Sequence, residues 1–380
     1  MGHHVKTLAL AFALAIISQA SPLIYPRDDA PANLTYAFTN PNGLNFTQMN
    51  TTLPNVTIFA TGGTIAGSAD DNTATTGYQA GALGIQTLID AVPEMLDIAN
   101  VAGVQIANVG SPDVSSSILL DIAHQLNTVV CRDPTIAGAV ITHGTDTLEE
   151  TAFFLDATVN CEKPIVIVGA MRPATAISAD GPYNLLQSVT VAASKEARNR
   201  GALVVMNDRI ASAYYVTKTN SNTMDTFKAL EAGFLGAIVS NSPYFFYPPV
   251  QPTGKTSIDV TNVTEIPRVD ILYSYQDMTN DTLFSAVENG AKGVVIAGTG
   301  AGSVSSTYSS AIAELIQEQE FPIVRSTRSP SGEVPFSESG ADGISSGYLN
   351  PQKARVLLGL LLAKGKSFSD ILEVFANVAV

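Results

Sequence analysis

Apolar and polar positions alternate in blocks along most of this chain. Leu53 to Ala60 is a short apolar run that reads as a buried strand, ending in Thr61-Gly62-Gly63-Thr64. Val104 to Val109, Ala137 to Thr142, Pro164 to Val168 and Ala202 to Met206 repeat the pattern. Between them, Ile85 to Ala91, Ser116 to Val130, Leu148 to Thr158 and Pro182 to Glu196 read as helices. Continuous apolar strands alternating with helices predict a parallel sheet covered on both faces. Ser68 to Gly84 is polar, Gly-rich and long for a structureless connection, which marks it as a lid loop or a disordered one. Pro243 to Pro267 is rich in proline and reads as a linker. Strand and helix blocks then resume from Val269 to Tyr273 and close with helices over Lys353 to Ala363 and Ser369 to Ala376. The predicted fold class is α/β with two domains. The larger N-terminal one, residues 53–242, has a mostly parallel sheet covered by helices; a linker spans 243–267, and a smaller C-terminal α/β domain spans 268–380.

The first twenty residues do not fit this alternation. Lys6, an apolar run from Leu8 to Ile17 and then Ser18-Gln19-Ala20 form a signal-peptide pattern over 1–20. Residues 21–52, rich in Pro, Asn and Thr, read as a flexible arm or pro-segment. Together these predict a secreted, cell-wall or periplasm-type protein. Sequons at Asn33, Asn45, Asn50, Asn262 and Asn280 are then glycosylation candidates; a sixth, at Asn55, is doubtful because it starts the first strand. No other stretch reaches eighteen apolar residues, so no membrane span is expected.

Length and composition narrow the classes further. The chain has 380 residues, which allows roughly two domains. Its formal net charge of −14 disfavours nucleic acid and anionic membrane as partners and leaves a small molecule. Cys131 and Cys161 are the only cysteines. In an exported chain they most simply form one disulfide, worth ~3 kcal/mol for a loop of about thirty residues; two buried thiols or one reactive Cys are the alternatives. Only His124 and His143 lie beyond the leader pattern, so a His/Cys zinc site is not expected, and any catalytic base is sought among Lys and carboxylates.

Candidate chemistry gathers at strand ends. Two glycines after a strand let the backbone turn sharply and leave N–H groups free for an oxyanion, with Thr64 carrying a hydroxyl on that turn. By itself this reads first as an ordinary tight turn, because Gly-Gly punctuates many turns. Gly110-Ser111, Gly144-Thr145-Asp146 and Gly169-Ala170 end the next strands in the same way. In a parallel sheet these ends share one edge, where ligands bind, so Thr64, Ser111, Thr145 and Asp146 converge there. Lys218 is a candidate base, though a lone Lys reads as a solvated surface charge.

The segments Thr61-Gly62-Gly63-Thr64-Ile65-Ala66-Gly67 and His143-Gly144-Thr145-Asp146-Thr147-Leu148-Glu149-Glu150-Thr151-Ala152-Phe153-Phe154-Leu155 resemble the two signatures of the L-asparaginases, of the exported bacterial type. Val168 to Pro173, Ser178 to Pro182, Val216 to Asn220 and Leu349 to Arg355 are similar to the same family. The resemblance runs from about Leu53 to the C-terminus. It implies hydrolysis of L-asparagine to aspartate and ammonia through a threonine nucleophile and an acyl-enzyme, with no metal and no organic cofactor. Thr64 matches the nucleophile and Tyr78 the lid tyrosine, while Thr145, Asp146 and Lys218 match a second Thr-Asp-Lys group. Gly63, Ser111, Pro112, Asp146 and Ala170 match substrate contacts, and Cys131 and Cys161 match a family disulfide. The resemblance also implies a homotetramer. In it a neighbouring subunit contributes a small polar residue, matching Ser303, and an acid, matching Glu338 or, second, Glu333.

These residue types suit amide hydrolysis. A threonine hydroxyl needs a base nearby. A lysine acts as one only when neutral, whereas an adjacent carboxylate favours the ammonium, so Asp146 reads as orienting its neighbours and binding the substrate ammonium. One departure stands out: Ser111 is followed by Pro112, which has neither an N–H nor a side-chain amide. That leaves the choice between asparagine and glutamine open, so the alternatives are a dual glutaminase-asparaginase and an inactive amino-acid-binding homologue. Gly298-Thr299-Gly300-Ala301-Gly302 lacks the spacing of a dinucleotide-binding fingerprint.

Overall fold

The computed structural model describes residues 36–378. The leader pattern of 1–20, the first part of the expected arm and Asn33 lie outside them. The larger domain runs β1 (Phe38–Thr39), β2 (Asn45–Phe46), β3 (Asn55–Gly62), α1 (Ile85–Asp90), β4 (Asn100–Val109), α2 (Ser116–Gln125), β5 (Ile136–Thr142), α3 (Leu148–Thr158), β6 (Ile165–Val168), α4 (Gly181–Ala193) and β7 (Ala202–Met206). It continues with β8 (Arg209–Ser212), β9 (Thr217–Lys218), β10 (Phe227–Lys228), β11 (Gly236–Val239) and β12 (Ser242–Phe245). The smaller domain runs β13 (Val269–Tyr273), α5 (Asp281–Glu288), β14 (Gly293–Gly298), α6 (Ser306–Gln319), β15 (Ile323–Thr327), β16 (Ile344–Ser345), α7 (Pro351–Ala363) and α8 (Phe368–Val378).

The large sheet has strand order β1-β2-β4-β3-β5-β6-β7-β8-β11-β12. Its five central strands, β4-β3-β5-β6-β7, are parallel. The reason is in their sequences: every residue of β6 and β7 is buried, as a strand covered on both faces requires. The flanks are antiparallel, so the parallel centre is set in a mixed sheet. On one flank, two-residue turns at Asn207-Asp208 and Ser240-Asn241 join β7 to β8 and β11 to β12. All four residues have positive φ, between 50° and 61°, the geometry that matches strand twist in a tight hairpin. The smaller domain's sheet, β13-β14-β15-β16, is wholly parallel.

Two boundaries differ from expectation. The arm does not extend to residue 52: β1 and β2 join the sheet, Phe46 is fully buried and its ring stacks on Phe38 at 4.7 Å. Asn40 reinforces this edge by donating to Asp133 at 3.0 Å. The linker does not begin at 243 either, because β12 runs through Phe245. The stretch between β12 and β13 is pinned to the large domain: Ile258 and Val260 are buried, and Lys255 Nζ reaches Asp156 on α3 at 2.8 Å. The main core extends from the large sheet into α7 and α8 through Leu357, Leu358, Leu361 and Phe375, so the two domains share it.

Candidate active site

The carboxyl ends of β3, β4, β5 and β6 lie on one edge of the sheet and each delivers a loop to it. Gly62 and Gly63 have φ of 104° and 79°, which a side chain rarely tolerates. A Cβ at Gly63 would lie 2.2 Å from the Gly144 nitrogen, so the β3 and β5 loops meet backbone to backbone. The Gly63 N–H donates to Val109 O at 2.9 Å, tying in β4. Thr61 Oγ1 donates to the carbonyl of Thr142 at 2.9 Å, across the β3–β5 seam.

Thr64 is buried, and its Oγ1 lies 2.6 Å from Tyr78 Oη. Tyr78 comes from the segment read as a lid or a disordered loop. It is ordered here: Ser68 and Gln79 exchange backbone hydrogen bonds at 3.0 and 2.9 Å, and Gly81 and Leu83 donate to Gly63 and Ala66. The Tyr78 ring lies over Gly67, where a Cβ would come within 3.0 Å of it.

The second cluster is held together by one ammonium. Lys218, placed by the β9–β10 pairing, donates to Thr145 Oγ1 at 2.9 Å and to Asp146 Oδ1 at 2.7 Å. Asp146 is largely exposed, which leaves its other oxygen open to the cleft. Ser111 is buried; its Oγ accepts from the Thr147 N–H at 3.4 Å and its carbonyl from Thr147 Oγ1 at 2.8 Å, which locks the β4 loop to the β5 loop. Pro112 next to it is exposed. Ala170 is fully buried, and the loop that carries it is fixed by Asp180, whose carboxylate accepts from the N–H groups of Met171 and Arg172 at 2.9 Å.

A cleft of about 350 Å³ opens between the Lys218 cluster and the lid; Thr64, Gly63, Ser111, Pro112 and Ala170 are not among the residues that line it. Thr145, Asp146, Met171 and Lys218 line one side, the Thr75–Tyr78 lid segment lines another, and Ser221 and Asn222 stand at its rim. Tyr78 therefore links the two clusters, touching Thr64 and facing the cleft that holds Lys218.

Ser303 and Glu338 are exposed and Glu333 half-buried, all in the smaller domain and none among the residues lining the cleft. Ser303 sits in a tight turn, exchanging backbone hydrogen bonds with Thr299. Cys131 and Cys161 are joined by a disulfide.

His143 shows why a histidine in a signature segment need not be a base. It is wholly buried, with Nδ1 against Gly144 O at 2.8 Å and Nε2 against Thr151 Oγ1 at 2.9 Å. Burial pushes its pKa down to about 4, partly opposed by the Gly144 carbonyl. A neutral ring that donates from Nδ1 and accepts at Nε2 satisfies both contacts and ties the β5 loop to α3. Sequence reasoning missed this role and that of Asp180, since neither residue reaches the cleft.

Two family profiles match the chain: the asparaginase N-terminal domain over residues 55–251 and the glutaminase/asparaginase C-terminal domain over 268–375. The chain is 51% identical over 332 residues to probable L-asparaginase 1 of Schizosaccharomyces pombe, covering 87% of this chain and 91% of that protein. It is 51% identical over 314 residues to L-asparaginase 2 of Bacillus subtilis, covering 82% and 83%. Among solved structures, a probable cytoplasmic L-asparaginase from Campylobacter jejuni superposes with a TM-score of 0.81 at 45% identity, covering 85% of this chain and 99% of that one. That likeness corrects the expectation of export. The same fold and comparable sequence serve a protein named cytoplasmic, so resemblance to the family carries no address. The secreted, signal-peptide and glycoprotein readings are withdrawn, and the sequons at Asn45, Asn50, Asn262 and Asn280 stand as sequence patterns only.

Proposed function

The chain belongs to the asparaginase family, and from that premise we propose that its cleft hydrolyses L-asparagine to L-aspartate and ammonia, with Thr64 as nucleophile. The observation that carries this reading is the pairing of Thr64 Oγ1 with Tyr78 Oη at 2.6 Å, because Tyr78 also lines the cleft that Lys218, Thr145 and Asp146 line.

In this reading Thr64 Oγ attacks the side-chain amide carbon, and the hydroxyl proton leaves through Tyr78. The N–H groups of Thr64 and Ala170 stabilise the oxyanion, since that of Gly63 is taken by Val109 O and those of Met171 and Arg172 by Asp180; a donor of this kind is worth roughly 10²–10³ in rate. Collapse breaks the C–N bond and releases ammonia, which takes up the proton. Water then attacks the threonyl ester; Thr145 and Lys218 relay its proton to Thr64 Oγ as the ester C–O bond breaks, and aspartate leaves. Asp146 receives the substrate ammonium and Ser111 its carboxylate. A neighbouring copy in a homotetramer supplies Ser303 and an acid, Glu338 or Glu333. That assembly is checked by sedimentation, where a monomer at working concentration would remove this last element.

The test of the catalytic reading is ammonia release from asparagine. Thr64→Ala should lose at least a thousandfold in kcat; turnover at the wild-type rate would sink the assignment. A second reading, comparable use of glutamine, follows from Pro112, which has neither an N–H nor a side-chain amide beside Ser111. The ratio of kcat/KM for the two amides decides it. One methylene is worth roughly 10–200-fold in a selective pocket, so a ratio near one marks the dual enzyme.

A further inference from the structure

Lys353 stands on the first turn of α7, in the smaller domain, and is buried at 2% exposure. Its ammonium donates to three main-chain carbonyls: Ala213 at 3.1 Å, Tyr214 at 2.7 Å and Val216 at 2.5 Å. These residues lead directly into β9, which carries Lys218. Asn350 caps the same helix by accepting from the Lys353 N–H at 3.0 Å, and donates to Thr217 Oγ1 at 3.4 Å. The turn also grips α3: Gln352 donates to Glu149 at 3.3 Å and Arg355 to Glu150 at 3.4 Å. Helix α3 begins two residues after Asp146. One turn of α7 therefore holds both chain segments that meet where Lys218 touches Thr145 and Asp146.

A buried ammonium is an expensive way to fill space. An apolar side chain of similar volume generally gives equal or greater stability. Among the described residues no carboxylate is bonded to it; Glu149 and Asp156 on α3 act at longer range, and burial lowers its pKa to about 8 against their pull. What the charge uniquely supplies is three directed hydrogen bonds to one short backbone segment.

We propose that Lys353 is a positioning residue for the cleft, setting the path of residues 213–217 and thereby the reach of the Lys218 ammonium to Thr145 Oγ1. This rests on the catalytic role given to Lys218 above.

The experiment is steady-state hydrolysis of asparagine, across neutral and alkaline pH, by the full-length protein and its Lys353→Met, Lys353→Arg, Asn350→Ala and Lys218→Met variants. Lys353→Met should lower kcat at least about tenfold, with KM within about threefold, and displace the kcat–pH profile. Lys353→Arg, which keeps the charge, should recover part of the loss. Wild-type kcat in Lys353→Met overturns the proposal. So does a fall that only tracks the loss of folded protein, with the pH profile unmoved. Should Lys353→Met not fold, Lys353→Gln is added and decides, because its amide can reach fewer of the three carbonyls than the ammonium does. A lower kcat with a displaced profile supports positioning, and an unchanged kcat overturns it. Asn350→Ala, which keeps the ammonium, should lower kcat less than Lys353→Met; an equal or larger fall would place the positioning in the cap and overturn the proposal. Wild-type turnover by Lys218→Met would instead show that the role of Lys218 is wrong.

Discussion

Thr61 and Thr64 stand three residues apart on the same turn and spend their hydroxyls differently. Thr61 bonds the backbone of Thr142 and holds two strands together; Thr64 meets another hydroxyl, that of Tyr78. Tyr78→Phe keeps the ring over Gly67 and deletes that partner. It should lower kcat by about 10²-fold with the thermal midpoint little changed. His143 predicts an acid-sensitive fold. Its folded pKa of about 4 lies below its ordinary 6.5, so the unfolded chain takes the proton first as pH falls. Stability from this residue is complete above pH 6.5 and is lost between 6.5 and 4, by about 3 kcal/mol at the lower end. Urea unfolding at the two pH values should show His143→Gln losing that much less than the wild type. The gathering of hydroxyls at one sheet edge was legible in the sequence because they recur beside glycines at strand ends. Asp180, His143 and Lys353 were not, because their partners are main-chain atoms or distant residues that no local pattern announces.

Elements were legible wherever one period ran long enough. Leu148–Thr158, Ala202–Met206 and Val269–Tyr273 have the bounds that the apolar blocks predict. The antiparallel flank went unread. Its turns, Asn207-Asp208 and Ser240-Asn241, contain no glycine, and β12 is half-exposed along its length, so neither turn chemistry nor alternation was strong. The lid was legible as a long polar loop, but not its order, which comes from hydrogen bonds to the glycine turn. Glycine positions in these loops should differ sharply in tolerance. Gly63→Ala drives a Cβ into the Gly144 backbone at positive φ and should cost at least ~3 kcal/mol. Gly77→Ala, at φ +71° with open space around it, should cost about 1 kcal/mol, read by the shift in denaturation midpoint.

At the scale of the whole molecule, the proline-rich segment between the domains works as a strap. Lys255 in that segment and Asp156 on α3 form a buried pair, and Asp156 also accepts from the Ala202 N–H at 2.8 Å. Burial raises the Asp156 pKa, and Lys255 opposes this. Lys255→Met would leave a buried carboxylate without its cation and should destabilise the protein by about 3–5 kcal/mol. The exposed Arg198–Glu162 pair is the control: Arg198→Ala should cost less than about 1 kcal/mol in the same chemical denaturation. The sequence indicated two domains but held no sign that their cores merge through α7 and α8, because apolar helix faces do not name the surface they cover.

The main-chain contact between Gly63 and Gly144 bears on any effort to evolve this protein toward other amides. Where the β3 and β5 loops meet without side chains, there is nothing to trim or enlarge, and substitution can only push the loops apart. A library aimed at those two positions should return almost solely inactive clones. Useful diversity belongs on the cleft walls: the lid residues Thr75 and Thr76, and Ser221 and Asn222, where a changed side chain faces open space rather than backbone.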